Sequence, residues 1–536
     1  MHLAERALSR LVGPEATGSY AVTPVRTPMR DGVELAGNLY TPTDSVKGTL
    51  LVRCPYGRGI PFSMLYASMY AARGYQVLLQ SVRGTFGSGG TFTPMVHEVA
   101  DAADTVAWMR DQPWFTGSFA TLGLSYLGFT QWALLSDPPP ELRASIISVG
   151  PHDFYESSWG TGAFSLNDFL GWSDMMAHQN DQARVIAGLR QQFLAPRLVQ
   201  RATGELPLGT AGRTLLGDGA PWYESWLAHP DADDPFWVPM RLGAALERAN
   251  IPVLLFSGWQ DLFIDQTLAQ YRRLRDRGVP TALTIGSWTH TQVVTRAAPR
   301  LLRESLSWLD TYLCDGPAQN RSAVRAEMNN SGWVDLPDWP PVTSDMELFL
   351  CPGHRLAAAP PASSSPPTTF TFDPADPTPT IGGRLLSPDG GYRDDTALSR
   401  RTDVAEFVSE PLPQDLVVIG DPVVELMHSC DNRYRDVFVR LSEVDPTGRS
   451  RNVSDAYQRL TSSPQPAQLL RLELDAVGHR FGAGSRIQVM VAGGCHPRFT
   501  RNLGTAEPPV SGIAMVPAHH EVHHGPHTRV VLPVYG

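Results

Sequence analysis

Residues 120–130 read ATLGLSYLGFT, where an apolar strand pattern runs into Ser125 and a helical pattern begins at once. A serine on such a strand-to-helix turn is held with its hydroxyl exposed, at the positive end of the following helix. The backbone N–H groups after the serine point into the same space. The stretch therefore predicts that Ser125 is a nucleophile. Its second glycine is Gly128, whereas the usual G-x-S-x-G pattern would place it at 127, and small residues also mark ordinary tight turns.

On either side of this stretch, strand-like and helix-like runs alternate. Residues 48–53 and 75–80 are short apolar runs, which are typical of buried parallel strands. Helical spacing follows them at 62–73 and 98–112, and the first of these helices is expected to end at Gly74. This alternation predicts right-handed βαβ units and an α/β sheet with helices on both faces.

Two changes of composition divide the chain into three parts. Residues 1–150 and 246–320 carry the alternating pattern and predict an α/β body. Residues 151–245 are rich in Trp, Phe, Met and Leu at helical spacing, which predicts an inserted helical cap. In residues 321–536 helical periodicity disappears, and prolines and glycines separate short strand-like runs, which predicts a C-terminal β-sandwich.

The composition of the 536-residue chain excludes several classes of protein. Hydrophobic residues make up 42% and charged residues 18%, which indicates a folded chain. Acidic residues outnumber basic ones by 54 to 44 without any dense Lys/Arg block, so we expect no nucleic-acid partner. No apolar run approaches the roughly 20 residues of a membrane-spanning helix, and we expect no membrane partner.

The cysteines and the first residues bear on the cellular compartment. Five cysteines are scattered without a C-x-x-C pair, which predicts free thiols in a reducing environment. Residues 1–6 lack the basic region and apolar core of a secretory signal. We therefore expect a cytoplasmic location.

Two further strand ends supply the base and the carboxylate that a nucleophilic serine requires. Residues 254–261 read LLFSGWQD and end in Asp261, and residues 284–290 read TIGSWTH and end in His290. The order serine, acid, histidine, each beyond a strand end, is that of doubly wound hydrolases. The alternatives are that Asp261 is a helix N-cap, that His290 is a structural loop histidine, and that the acid is Asp265, one turn inside the next helix.

These motifs resemble those of the cocaine esterase and X-prolyl dipeptidyl-peptidase (CocE/NonD) family of serine hydrolases, which includes the α-amino-acid ester hydrolases. The resemblance rests on GLSYLG around Ser125, GWQD at Asp261 and GSWTH at His290. Other segments match in the same order along nearly the whole chain: TPMRDGV (27–33), RCPYG (53–57), RGTFGSGG (83–90), IGDP (419–422) and PRFTRN (497–502). The resemblance implies an α/β-hydrolase body with an inserted helical cap and a C-terminal β-sandwich of the jelly-roll type.

The resemblance also implies an oxyanion hole made by a tyrosine hydroxyl and the N–H that follows the nucleophile. In this chain those groups are the Tyr56 hydroxyl and the backbone N–H of Tyr126. Without the resemblance, Tyr56 would be interpreted as a packed aromatic in a Pro-Tyr-Gly turn. The chain departs from the family at Ser81, where an Asp is frequent, and at Ala120, where Gly is usual. Neither position belongs to the predicted triad.

Two other motifs are not interpreted as sites. The glycines of residues 84–90 fit neither the G-x-G-x-x-G nor the Walker spacing, so no nucleotide is expected. Strand alternation would divide the C-terminal histidines between two faces, so we expect no metal: His519, His520, His523, His524 and His527. The aromatic residues of the cap region are interpreted mostly as core, with a few able to line an acyl pocket: Trp159, Phe164, Phe169, Trp172, Trp222, Trp226, Phe236 and Trp237.

The predicted reaction is hydrolysis of a carboxylic ester or activated amide through an acyl-enzyme on Ser125. His290 would act as the base and Asp261 would orient it, with no metal or organic cofactor. The expected partner is a small-molecule ester or amide substrate, and a homodimer stays open.

Three alternatives remain. An X-Pro dipeptidyl-peptidase is less favoured because no acidic cluster that would hold a free ammonium is evident, and the candidate carboxylates cannot be ranked: Glu156, Asp168, Asp231, Asp233 and Asp234. The second alternative is an α-amino-acid ester hydrolase, or an acyltransferase that passes the acyl group to an amine or alcohol instead of water. A non-catalytic binding protein with a sugar-binding jelly roll is disfavoured by the intact set Ser125, Asp261 and His290.

Overall fold

The computed structural model describes residues 18–179, 194–361, 365–462 and 466–536. The chain divides into two compact units. The first contains Met1–Tyr155, Asp233–Gly258 and Phe263–Arg325, and the second contains Glu156–Ala232, Trp259–Leu262 and Ala326–Gly536. Much of the predicted cap thus belongs to the same unit as the C-terminal strands, and the predicted domain boundaries stay a prediction.

The first unit is built on a mixed sheet with helices. Its strands are β1 (Tyr20–Pro28), β2 (Glu34–Pro42), β3 (Gly48–Cys54), β4 (Tyr75–Ser81), β5 (Phe119–Leu124), β6 (Leu142–Ser148), β7 (Val253–Gln260) and β8 (Thr281–Thr289). They lie in the order β1-β2-β4-β3-β5-β6-β7-β8. Pairing is antiparallel from β1 through β2 to β4, and parallel from β4 through β3, β5 and β6 to β7.

The helices of the chain follow the predicted alternation in the first unit and fill the cap region of the second. They are α1 (Glu98–Arg110), α2 (Tyr126–Leu135), α3 (Phe154–Trp159), α4 (Leu166–His178), α5 (Ala195–Gly204), α6 (Leu208–Leu216), α7 (Trp222–Ala228), α8 (Gly243–Arg248), α9 (Ile264–Asp276) and α10 (Ala298–Tyr312). The helix predicted at 62–73 is a π-helix, Met64–Ser68, that continues as one α-turn and ends before Gly74 at φ 93°. Within the described residues, no helix has the length and hydropathy needed to cross a membrane.

Burial explains why the strands of the first unit could be predicted. β3, β4, β5 and β7 are buried along their whole length, so apolar residues follow one another instead of alternating. The strand order reverses at β3, which has β4 on one side and β5 on the other. Open α/β sheets bind their ligands beyond the carboxyl ends of the strands at such a point. The predicted α/β body is confirmed. A ligand-binding site is expected beyond the carboxyl ends of β3 and β5.

The second unit contains a β-sandwich, as predicted. Two short strands, β9 (Val324–Met328) and β10 (Gly332–Leu336), precede it in the chain and are not part of its sheet. The strands of the sandwich are β11 (Ser344–Cys351), β12 (Arg355–Ala357), β13 (Thr368–Phe372), β14 (Val404–Val408), β15 (Leu416–Gly420), β16 (Val423–Cys430), β17 (Arg435–Val444), β18 (Ser450–Leu460), β19 (Gln468–Glu473), β20 (Val477–Phe481), β21 (Arg486–Ala492), β22 (Ala518–His523) and β23 (Arg529–Val534). Buried and half-buried residues alternate along β16, and the buried Val424 and Leu426 belong to a shared apolar core.

Aromatic packing dominates the helical part of the second unit. Trp159, Phe164 and Trp226 are fully buried, and Trp172 packs on Trp226 with ring centroids 6.0 Å apart. The Nε1–H of Trp222 donates to the Ser173 hydroxyl at 3.1 Å, which satisfies the one polar group of that buried ring. The interpretation of these aromatics as mostly core is confirmed.

A pair of buried histidines lies between β16 and β22. His428 Nε2 and His520 Nδ1 are 3.0 Å apart, and the His520 ring stacks on Phe370. His519, the neighbour of His520 on β22, is exposed, so the predicted division of the C-terminal histidines between two faces is confirmed. Burial lowers the pKa of His428 to about 4 and the pKa of His520 well below its usual range, and the nearby Arg435 adds to both shifts.

We expect these two histidines to make the second unit sensitive to acid. They are neutral in the folded state, whereas in the unfolded chain they take up protons at about pH 6.5. Protonation therefore costs the folded state no free energy of unfolding above about pH 6.5. As the pH falls from 6.5 towards 4, the unfolded chain takes up protons that the folded state does not, and the free energy of unfolding decreases. Urea midpoints measured between pH 7 and 4.5 should fall less steeply for His428→Gln than for the wild type. His519→Gln is the exposed control and should keep the wild-type slope; an unchanged slope in His428→Gln would contradict the prediction.

Candidate active site

Ser125 lies on a strained turn between β5 and α2. β5 ends at Leu124 and α2 begins at Tyr126, so Ser125 alone makes the reversal, with φ 56° and ψ −123°. A positive φ in a residue other than glycine costs of the order of 1–3 kcal/mol and persists only where the surroundings enforce it. Here the Ser125 N–H donates to the Ser148 carbonyl at 2.9 Å, and its own carbonyl accepts from Gly128 N–H at 2.8 Å. The structure thus places Ser125 on the predicted turn.

The glycines around Ser125 are required by close backbone contacts. A Cβ on Gly123 would lie 2.4 Å from the Cβ of Leu127, and a Cβ on Gly128 would lie 2.5 Å from the Cα of Gly150. Contacts this short do not occur between real atoms, so both positions must lack a side chain. The second glycine is at 128 because that residue faces the loop after β6. This contact explains why residue 128 is a glycine.

Tyr56 lies in the turn that follows β3, the neighbour of β5 in the sheet. Its side chain is half-buried, and its ring stacks on Phe62 with centroids 5.2 Å apart. Its backbone N–H faces the sulfur of Cys54 at 3.4 Å. Burial raises the pKa of the Cys54 thiol to about 12, so this cysteine is not a rival nucleophile.

Tyr126 is the first residue of α2, and its side chain is buried. The phenol donates to Glu98 Oε1 at 2.9 Å and accepts from the Met95 N–H at 2.7 Å. The family resemblance assigns the backbone N–H of Tyr126 to the oxyanion hole. The side chain of the same residue is anchored through its phenol oxygen. The sequence did not point to Glu98.

Asp261 and His290 directly follow β7 and β8, and both are buried. A Cβ on Gly258 would lie 2.2 Å from the Trp288 carbonyl oxygen, so the ends of these strands are in close contact. The Phe263 ring meets the His290 ring edge-on, with centroids 5.4 Å apart. Gly258 and Phe263, on either side of the Asp261 turn, therefore both contact the end of β8.

The alternative acid occupies a different environment. Asp265 is in the first turn of α9 and is exposed to solvent. An exposed carboxylate is screened by water and orients an imidazole weakly compared with a buried one.

Two glutamines of α9 hold the loop that packs against the Ser125 turn. Gln266 Oε1 accepts from the N–H groups of His152 and Asp153, at 2.8 and 2.9 Å. Gln270 Nε2 donates to the Gly150 carbonyl at 2.8 Å. Sequence analysis missed both residues, although their spacing of four on a buried helix face is a signal that could have identified them.

The two departures from the family pattern are accommodated locally. The Ser81 hydroxyl contacts the Arg58 guanidinium, which also donates to the Phe86 carbonyl at 3.0 Å. Ala120 is buried inside β5, where it pairs with Ala144 of β6. Neither residue disturbs the turn at Ser125.

We expect Gly128→Ala to destabilise the protein because the new methyl group would collide with backbone that cannot move aside. The expected loss is roughly 1–3 kcal/mol, measured as a fall in Tm and in the urea midpoint. Gly171→Ala in α4 is the matched control, since no atom other than its chain neighbours and the backbone of its own helix lies within 4 Å of its Cβ position, and alanine favours a helix. A wild-type Tm in Gly128→Ala would show that the two backbones are not in tight contact.

Comparison with known proteins agrees with this architecture. The family model of the X-Pro dipeptidyl-peptidase (S15 family) matches residues 31–292, and that of the X-Pro dipeptidyl-peptidase C-terminal non-catalytic domain matches residues 318–532. The cocaine esterase of Rhodococcus sp. (strain MB1 Bresler) is 29% identical over 577 residues, covering 96% of this chain and 99% of the esterase.

Solved structures share the fold over nearly the full length. An aminopeptidase from the marine sediment archaeon Thaumarchaeota archaeon superposes with a TM-score of 0.82, 23% identity and 98% coverage of both chains. An α-amino acid ester hydrolase gives a TM-score of 0.80, also with 23% identity and 98% coverage of both chains. The resemblance inferred from the motifs is confirmed, and the chain belongs to the serine hydrolases of the cocaine esterase and X-Pro dipeptidyl-peptidase type.

Proposed function

We propose that this hydrolase cleaves a carboxylic ester through an acyl-enzyme on Ser125. The observation that carries the proposal is the φ of 56° at Ser125, between β5 and α2. Such a turn directs the hydroxyl away from the sheet, next to the first N–H groups of a helix. Backbone strain of this kind is concentrated at functional sites.

His290 is proposed as the general base, with Asp261 holding it. Both residues are buried at strand ends, and the contacts of Gly258 and Phe263 with the end of β8 support their convergence. A buried carboxylate fixes the tautomer of an imidazole and stabilises the imidazolium that forms during the reaction.

The Tyr56 hydroxyl and the Tyr126 N–H are proposed to stabilise the oxyanion. β3 and β5 pair in parallel with Leu51 opposite Thr121, so Tyr56 and Ser125 follow at similar heights beyond adjacent strands. A tetrahedral intermediate carries a full negative charge on oxygen, and one donor already aimed at it is worth roughly 3 kcal/mol of the barrier.

The proposed reaction proceeds in two halves. The Ser125 hydroxyl attacks the ester carbonyl while His290 takes its proton, and the same proton then goes to the departing alcohol. Water, deprotonated by His290, attacks the acyl-enzyme and releases the acid. The substrate is a small-molecule ester or amide; a homodimer and a cytoplasmic location stay predictions.

An ester is favoured over an X-Pro peptide for two reasons. The similarity to the cocaine esterase extends over nearly the full length of both chains. In addition, two of the carboxylates considered as ammonium ligands already accept backbone N–H groups. Asp168 accepts from Leu386 at 2.8 Å, and Asp234 accepts from Phe236 at 2.8 Å.

Covalent labelling tests the nucleophile directly. A fluorophosphonate should form one adduct that maps to residue 125, and hydrolysis of p-nitrophenyl acetate and butyrate should disappear in Ser125→Ala because the proposed acyl-enzyme forms on the Ser125 hydroxyl. Equal rates in the variant and the wild type would refute the proposal. Rapid cleavage of Gly-Pro-p-nitroanilide, with slow ester hydrolysis, would favour the peptidase instead.

We expect His290→Ala and Asp261→Asn each to lose at least roughly a hundredfold in kcat while the fold is kept, because proton transfer loses its base or the base loses its orientation. Asp265→Asn is the matched control for the acid and should keep wild-type turnover. Steady-state kinetics with p-nitrophenyl butyrate and circular dichroism measure both properties. If Asp265→Asn loses activity and Asp261→Asn does not, the acid has been misassigned.

A further inference from the structure

We propose that Glu98 is a positioning residue that holds both donors of the oxyanion hole through a single buried carboxylate. The inference rests on the proposed function, which assigns those donors to Tyr56 and to the Tyr126 N–H. Glu98 begins α1 and is 3% exposed. One of its oxygens accepts from the Tyr126 phenol at 2.9 Å, and the other forms an ion pair with Arg53 at 2.9 Å.

The contact with Tyr126 fixes the start of α2. The phenol is held from two sides, since it donates to Glu98 and accepts from the Met95 N–H at 2.7 Å. Met95 itself has a φ of 70°, so the backbone is bent to bring this N–H into place. Because Tyr126 directly follows Ser125, an anchored Tyr126 side chain limits the movement of its own backbone N–H.

The contact with Arg53 fixes the end of β3. Arg53 lies three residues before Tyr56, and its Nη1 donates to the backbone carbonyl of Glu98 at 3.0 Å. Its Nε donates to Gln80 of β4 at 3.2 Å. Glu98 therefore holds the guanidinium with both its side chain and its main chain, next to the turn that carries Tyr56.

A second buried ion pair lies beside the pair of Glu98 and Arg53. Asp101, one turn along α1, lies 4.0 Å from Arg53 and pairs with Arg83 at 2.6 Å. Buried ion pairs contribute little net stability, because the cost of removing them from water offsets their attraction, so their most useful effect is to specify geometry. Burial raises the pKa of the Tyr126 phenol well above its usual range, and Glu98 raises it further, so the phenol stays protonated and can donate.

Substitution of Glu98 should therefore change catalysis and not only stability. In Glu98→Gln the ion pair with Arg53 is lost, and both donors can move by a fraction of an ångström. Misplacement on this scale lowers the rate of acylation strongly, because the two donors must be at hydrogen-bond distance from the oxyanion of the transition state and not from the carbonyl oxygen of the bound substrate. We expect kcat for p-nitrophenyl butyrate to fall at least tenfold, with KM within about twofold of the wild type.

Affinity for a boronic acid distinguishes positioning from a general loss of structure. Phenylboronic acid accepts the Ser125 oxygen at boron to form a tetrahedral anionic adduct, with the serine proton passing to His290, so its affinity depends on the same donors. Its affinity for Glu98→Gln should fall by about the same factor as kcat. Glu304→Gln is the matched control, since Glu304 is a buried carboxylate paired with Arg321 at 2.9 Å and accepting from Thr284. It should lower Tm but keep kcat.

A second variant keeps the proposal falsifiable if Glu98→Gln does not fold. Tyr126→Phe removes both hydrogen bonds of the phenol, to Glu98 and from the Met95 N–H, but leaves Glu98 paired with Arg53, and it should also lower kcat and boronate affinity together. Where Glu98→Gln folds, it should lower kcat less in a Tyr56→Phe background than in the wild type, because one of the donors that Glu98 positions is already gone.

Wild-type kcat in both Glu98→Gln and Tyr126→Phe, with Ser125→Ala inactive, would overturn this inference and leave the proposed function standing. Equal losses of kcat in Glu98→Gln and Glu304→Gln at equal Tm would overturn it as well. Full activity of Ser125→Ala would overturn the proposed function and this inference together.

Discussion

The close approach of two backbones beside Ser125 is the constraint on which the first unit depends. Gly128 of α2 and Gly150 of the loop after β6 leave no room for a side chain, and the Ser125 N–H donates to the end of β6. The strained turn is therefore enforced by the neighbouring strand. Gln270 of α9 holds Gly150 in turn, so the helix that follows β7 supports the turn at Ser125. Elements that are distant in sequence thus restrain one another at a single edge of the sheet.

Buried charge serves the same purpose in both units. In the first unit, Glu98 ties Arg53 to Tyr126 beneath the carboxyl ends of β3 and β5. In the second unit, Arg440 is fully buried and pairs with Asp455 at 2.6 Å, while its Nη1 donates to the Ile381 carbonyl in an irregular segment. Apolar packing is not directional, whereas a guanidinium has donors at fixed angles and can fix an irregular segment in one conformation.

Much of the fold could be predicted from the sequence because parallel strands buried on both faces leave continuous apolar runs. The strands at 48–53 and 75–80 and the turn at Ser125 are found where the pattern placed them. The pairing of Glu98 with Arg53 and Tyr126 could not be predicted, because the partners are 45 and 28 residues away and no periodicity marks a nonlocal ion pair. A helix was predicted at 62–73, but its π-helical turn at Met64–Ser68 was not. The wider turn of a π-helix leaves nearly the same spacing of apolar residues as an α-helix. The convergence of Asp261 and His290 on Ser125 stays a prediction from strand order.

The sulfur of Cys54 beneath Tyr56 has a chemical consequence. Burial raises the pKa of this thiol to about 12, so at pH 7 it is almost entirely protonated. Alkylating agents and mild oxidants react with thiolates, so this corner of the molecule is closed to them while it stays folded. A reagent that labels hydroxyl groups and a reagent that labels thiols can therefore be applied to the folded protein together. A covalent label found near Tyr56 would then be on an oxygen atom and not on the Cys54 sulfur.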